Sequence, residues 1–316
     1  MTTKIVHKTK YILLAALLTA YAAMLILYPE KYIAASLDGL KLWAVCVVPS
    51  LFPFMVICAV FTNTGIAYKA SLPLAKIMKK LKLPAVSAAA FIMSAMSGYP
   101  AGSRILSEFY INGSIDSRGV KKLACLCSTT GPLFAIGAAG VNMFGDNIAG
   151  VKLFLAHIIS VLAAGLAFSF FCKEGQSDSL PPVLKTDVVK ESFYGSVAAI
   201  LTAGAFIVFF YTAARAADDL NILFPLKQFI SLFSGADLAD AVCVGLIEMT
   251  GGCAAAAKTG DALALPFAGF MITFGGVCII MQQLCYLIPA GVKPAVFILQ
   301  KFLQGVLCFW ILFFIG

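Results

Sequence analysis

Charged side chains are scarce in this chain: 12% of its 316 residues are Asp, Glu, Lys or Arg, whereas 61% are hydrophobic. Soluble domains average about half apolar and about a quarter charged, so this composition and a mean hydropathy of +0.96 exclude a soluble globular domain and define an integral membrane protein. Acidic residues are outnumbered by basic ones, 15 to 23. The excess lies mainly in short loops, where it suits anionic lipid and does not imply nucleic acid. No nucleotide-binding P-loop, zinc motif or catalytic triad is present, which argues against an enzyme, a bound metal and ATP-driven transport within this chain. The ten cysteines lie mostly in apolar segments, where a thiol acts as a small hydrophobe. Cys125 and Cys127, the closest pair, face different sides of a helix, so neither disulfides nor a metal site is expected.

Long apolar runs, by contrast, are abundant. A bilayer core of about 30 Å takes roughly 20 helical residues, and runs of that order cover 11–27, 40–61, 123–144, 153–171, 197–217, 239–257, 262–288 and 294–315. A ninth run, 87–96, is too short to span. The amino-terminal MTTKIVHKTK and the apolar run after it are read as a retained helix, because YPEKY at 28–32 lacks the small-residue pattern of a cleavage site.

Lysine and arginine in short loops set orientation. Lys4, Lys8 and Lys10, then Lys69, Lys76, Lys79, Lys80 and Lys82, then Arg118, Lys121 and Lys122 all belong on the cytoplasmic side, which places the N-terminus there. That requires the chain between Pro84 and Gly119 to enter and leave the membrane on one face, as a re-entrant hairpin. Its tip is the stretch SAMSGYPAGSRILSE, where Gly98, Pro100 and Gly102 leave backbone groups unpaired; such groups are tolerated at membrane depth only beside protein or a water-filled cavity.

The second half repeats the order. GLIEMTGG at 245–252 and TFGG at 273–276 answer SGYP at 97–100 and STTGP at 128–132. The expected fold is therefore an all-α polytopic membrane protein with two inverted repeats, each with a re-entrant helical hairpin and a broken transmembrane helix. The first half, 1–172, holds an N-terminal helix, a gate helix, a hairpin at 85–108, a broken helix at 119–144 and a helix at 151–172. A cytoplasmic linker, 173–192, leads to the second half, 193–316, with a hairpin at 237–258, a broken helix at 262–289 and a last helix at 294–315. Paired interruptions in two such halves point to a transporter's central site. GAAG at 137–140 is read as helix packing only.

Around the breaks lie the candidate binding groups: Ser97, Gly98, Tyr99, Arg104, Ser128, Thr129, Thr130, Glu248, Thr250, Gly275 and Gln282. Arg104 and Glu108, four apart, can pair on one helix face, or Arg104 can grip a carboxylate with its planar guanidinium. Glu248 has no cationic sequence neighbour, and a carboxylate at membrane depth faces a cavity or a partner. It is the candidate for a coupling Na+ or H+, the alternative being a pair with Arg104 or Lys301. His157 is read as a hydrogen-bonded core residue, and Lys301 as a near-interface lysine whose stem snorkels.

SGYPAGSRILSE, STTGPLFAIGAAGVNMF, GLIEMTGGCAAA and FGGVCIIMQ together resemble the nucleoside-recognition, or gate, domain family of bacterial membrane proteins, and within it the sporulation integral membrane branch. The resemblance covers residues 37–309, and the family is similar in organisation to concentrative nucleoside transporters. It implies a multi-pass protein of the bacterial inner membrane, either the cell membrane or the outer forespore membrane. There it would be a transporter or facilitator for a small polar, anionic substrate, with dipicolinate as the specific expectation. The alternatives are a cation-coupled nucleoside transporter and a non-transporting membrane scaffold in spore maturation. Expected partners are a small-molecule substrate and membrane lipid, with a homo-oligomer or a sporulation partner protein left open. No cofactor is expected beyond a coupling ion.

Overall fold

The computed structural model describes residues 2–171 and 186–315, with side chains from residue 12 onward except residue 13. The expected linker at 173–192 lies mostly outside the described residues. Every regular element among these is helical. Helix α1 (Thr2–Leu27) precedes α2 (Pro29–Leu42) and α3 (Val48–Asn63), which a π-helical turn, Trp43–Val47, joins into one 35-residue apolar element. Pro49, in the first turn of α3, offers no N–H to the hydrogen-bond ladder, and the wider turn falls just before it. Short helices α4 (Ile66–Ser71) and α5 (Ala75–Lys80) lead to the packed pair α6 (Ser87–Ser97) and α7 (Ala101–Ile111).

Helix α8 (Ser117–Leu123) is N-capped by Asp116, which accepts from the Gly119 N–H at 2.7 Å. After it the chain is irregular until a π-helical segment, Leu133–Met143, followed by α9 (Asn147–Phe171) and α10 (Val188–Asp219). Then come α11 (Phe224–Ser231), the packed pair α12 (Ala236–Ile247) and α13 (Met249–Lys258), α14 (Ala264–Phe274), α15 (Gly276–Leu287) and α16 (Pro294–Ile315).

Among the described residues, five segments are long and apolar enough to cross a membrane: Pro29–Asn63, Asn147–Phe171, Val188–Asp219, Ala264–Leu287 and Pro294–Ile315. The run 123–144 is interrupted at its irregular STTGP stretch, and 239–257 is divided at Glu248 into α12 and α13, as the expected broken helix and hairpin require. Large apolar side chains on α9, α10 and α16, such as Leu155, Leu201 and Phe314, stay exposed, as lipid-facing surface requires. In lipid, apolar side chains gain little by meeting one another, so close approach of small residues holds helices together. A Cβ on Gly140 would lie 2.3 Å from the Gly150 Cα, which fits the packing role expected of GAAG.

All four expected breaks interrupt helices, and within each half the two breaks touch. Gly98 ends α6 with φ 73° and ψ −172°, a conformation essentially restricted to glycine, and a Cβ there would stand 2.8 Å from the Gly131 N. Gly276, with φ 63°, opens α15, and a Cβ there would stand 2.8 Å from the Gly245 carbonyl oxygen and 3.1 Å from that of Ile247. Both hairpin bases are also closed. Lys122, itself buried, donates to the Lys82 carbonyl at 2.7 Å across the base of α6–α7. The Gly235 N–H donates to Asp261 at 2.8 Å across the base of α12–α13.

Candidate functional site

Three of the four breaks, and the helix that follows the fourth, border one small cavity. Tyr99 comes from the first break, Thr130 from the second, Glu248 and Thr250 from the third, and Gln282 from the helix after the fourth. Leu51, Phe134 and Ile207 supply apolar wall. About 30 Å³ is open to water centres, room for one or two waters and too little for a ring-sized solute in this conformation.

Glu248 is fully buried and extended at φ −131°, where it caps α13. Its two carboxylate oxygens accept from the Thr250 N–H at 3.0 Å and the Gly251 N–H at 2.7 Å. The pairing with Arg104 or Lys301 set out as an alternative is absent among the described residues. Because a carboxylate already fills the helix terminus, those amides are not free for an anionic ligand.

Arg104 lies elsewhere. Its Nε donates to Glu108 at 3.0 Å, as the spacing predicts, and its Nη1 donates to the Gly195 carbonyl on α10 at 2.7 Å. Half-buried, Arg104 shares a second cavity with Ser97, Glu108, Asn63 and Ser196. The candidate residues therefore divide between two cavities. Ser128 and Thr129 line neither: Thr129 bonds Ser94 hydroxyl to hydroxyl at 2.7 Å, while the buried Ser128 hydroxyl has no hydrogen-bond partner. Gly98 and Gly275 line neither cavity.

Behind the first cavity a buried polar network joins the halves. The Tyr99 hydroxyl donates to the Ile272 carbonyl at 3.1 Å. His157 Nε2 accepts from the Thr130 N–H, and Nδ1 meets the Thr273 hydroxyl, both at 2.9 Å. Since Nε2 accepts, the neutral ring carries its proton on Nδ1 and donates to Thr273. This matches the core role expected of His157.

Lys301 corrects the sequence-based expectation. It is not at an interface but fully buried, donating to the Ser128 carbonyl at 3.0 Å and to the Tyr99 hydroxyl at 3.2 Å. One turn on, Gln304 donates to the Cys125 carbonyl at 3.2 Å. Both carbonyls come from the irregular stretch after α8. Alternation of polar with lipid-facing residues on α16 was the available signal: Gln300, Lys301, Gln304 and Gly305 are buried, while Leu299, Phe302 and Leu303 are exposed.

These features define a multi-pass, all-helical integral membrane protein whose interrupted helices enclose a polar site. Residues 44–171 match the Gate family, described as nucleoside recognition. The chain is 25% identical over 330 aligned positions to the sporulation integral membrane protein YlbJ of Bacillus subtilis (strain 168), with 95% of this chain and 81% of that protein covered. The chain is thus similar to the Gate family over residues 44–171 and to a sporulation integral membrane protein over most of its length, as its motifs suggest. No solved structure matches the chain.

Proposed function

We propose that this protein is a membrane transporter or facilitator, not an enzyme, and that the cavity bounded by Tyr99, Thr130, Glu248, Thr250 and Gln282 is its solute site. One observation carries the reading: three of the four helix interruptions, with the helix that follows the fourth, line that cavity, as in transporters whose discontinuous helices meet at the midplane. The closed hairpin bases, Lys122 on Lys82 and Gly235 on Asp261, support re-entrant hairpins. Ser117, at the first base, donates to the carbonyl of Ala290 in the loop beyond α15. With α14 and α15 running from the second base toward that loop, this supports bases on opposite faces and hence inverted halves, the N-terminus being cytoplasmic.

A small polar anion is the leading substrate class, and dipicolinate the specific one, from the likeness to a sporulation protein. In this reading Arg104 and Ser97 contact the anion in the neighbouring cavity as it enters. A second reading, a cation-coupled nucleoside carrier, is favoured by the lining itself, because Glu248 and Gln282 suit ribose hydroxyls and base edges and no arginine reaches them. In both, Glu248 is the candidate for a coupling ion. Thermal stabilisation of the purified protein by dipicolinate, with uridine in parallel, separates the two. Stabilisation by neither, together with tolerance of substitutions at Ser97, Arg104 and Glu248, would turn the assignment to a membrane scaffold acting with a partner protein or a second copy.

A further inference from the structure

We infer that Lys301 is a built-in cation, its ammonium occupying the place between the two halves where a coupling sodium ion would otherwise bind, so that the protein works without sodium. The inference rests on the transport reading, but its test needs no substrate, so the two fail separately.

The ammonium is fully enclosed, and among the described residues no carboxylate lies within ion-pair distance of it. Its partners are oxygens of the kind a hard monovalent cation takes. They are the Ser128 carbonyl at 3.0 Å, freed by the helix break, and the Tyr99 hydroxyl at 3.2 Å, with the Tyr99 ring centroid at 5.0 Å. The Ser128 hydroxyl, buried and without a hydrogen-bond partner, adds an uncommitted oxygen on the same residue. Coupling ions in transporters with interrupted helices sit on unwound backbone carbonyls and helix ends, and here a lysine on α16 holds such a carbonyl.

A lone buried ammonium is costly unless its hydrogens are bonded, and these oxygens take two of its three. They also carry partial negative charge, which attracts a cation and repels an anion. Lys301 does not border the solute cavity. It stands behind Tyr99, which does, and holds the phenol oxygen as a metal ion would. It is therefore a positioning residue.

The test is the thermal unfolding midpoint of the purified, detergent-solubilised protein in sodium chloride and in choline chloride at equal ionic strength. Wild type is expected to unfold at the same temperature in both salts. Lys301→Ala, which opens space beside the Ser128 carbonyl, should be raised by several degrees in sodium, saturably. Lys301→Met, which fills the space without charge, should not respond. Sodium stabilisation of wild type, or an indifferent Lys301→Ala, overturns the inference. Should Lys301→Ala not fold, the wild-type comparison still decides: a sodium-dependent midpoint overturns the inference, and equal midpoints support it.

Discussion

The hydroxyl of Tyr99, at the first break of the amino-terminal half, donates at 3.1 Å to the carbonyl of Ile272, three residues before the last break of the carboxy-terminal half. The same oxygen accepts from Lys301, so one phenol ties together both halves and the buried ammonium. Tyr99→Phe keeps the ring and deletes these bonds. Leaving a buried donor and acceptor unpaired costs about 1–3 kcal/mol, and the detergent unfolding midpoint should fall accordingly. An unchanged midpoint would show that the phenol is not a link between the halves.

His157 makes the second link. Its replacement by Ala strands the Thr130 N–H and the Thr273 hydroxyl, again about 1–3 kcal/mol for each group left unpaired. Chemical unfolding of His157→Ala alongside wild type measures this, and equal stability would contradict the assigned bonding.

Glu248 has two roles that substitution separates. Glu248→Ala removes the cap of α13, a loss of about 0.5–2 kcal/mol, together with the charge. Glu248→Gln keeps an oxygen for capping and removes only the charge. Uptake should vanish in both variants, whereas the midpoint should drop clearly only for Ala. Normal uptake by Glu248→Gln would take the carboxylate out of the transport cycle.

Gly98 and Gly113 have nearly equal positive φ, 73° and 72°, but different surroundings. An added Cβ at Gly113 meets nothing within 4 Å, while at Gly98 it would meet the Gly131 backbone at 2.8 Å. Gly113→Ala should therefore carry only the left-handed penalty of about 1–2 kcal/mol, and Gly98→Ala should yield little folded protein. Equal yields by size-exclusion chromatography would mean that the two breaks are not in contact.

Arg104 is expected to matter for transport rather than for insertion. Arg104→Ala should leave membrane levels near wild type, because the bonds lost, to Glu108 and Gly195, are half-buried, and should abolish uptake. Uptake at the wild-type rate would remove Arg104 from the solute path.

The breaks were legible because Gly and Pro announce them, and the hairpin bases because basic loops flank the first one. The Arg104–Glu108 pair followed from helical spacing alone. Which side chains share a cavity did not follow, because that depends on how two distant segments cross. Arg104 and Glu248 look equally central in sequence, yet one reaches α10 and the other caps its own helix. Lys301 was misjudged because a lysine near an apparent helix end normally reaches water; it is buried because the irregular stretch after α8 leaves carbonyls that need donors.

The most direct test of the central claim is uptake of dipicolinate by proteoliposomes containing wild-type protein or Glu248→Gln, with uridine as the competing solute. Saturable uptake by wild type that falls to the level of protein-free vesicles in Glu248→Gln is the predicted result. Equal uptake by both proteins would contradict the assignment of the solute site to the cavity that Glu248 lines.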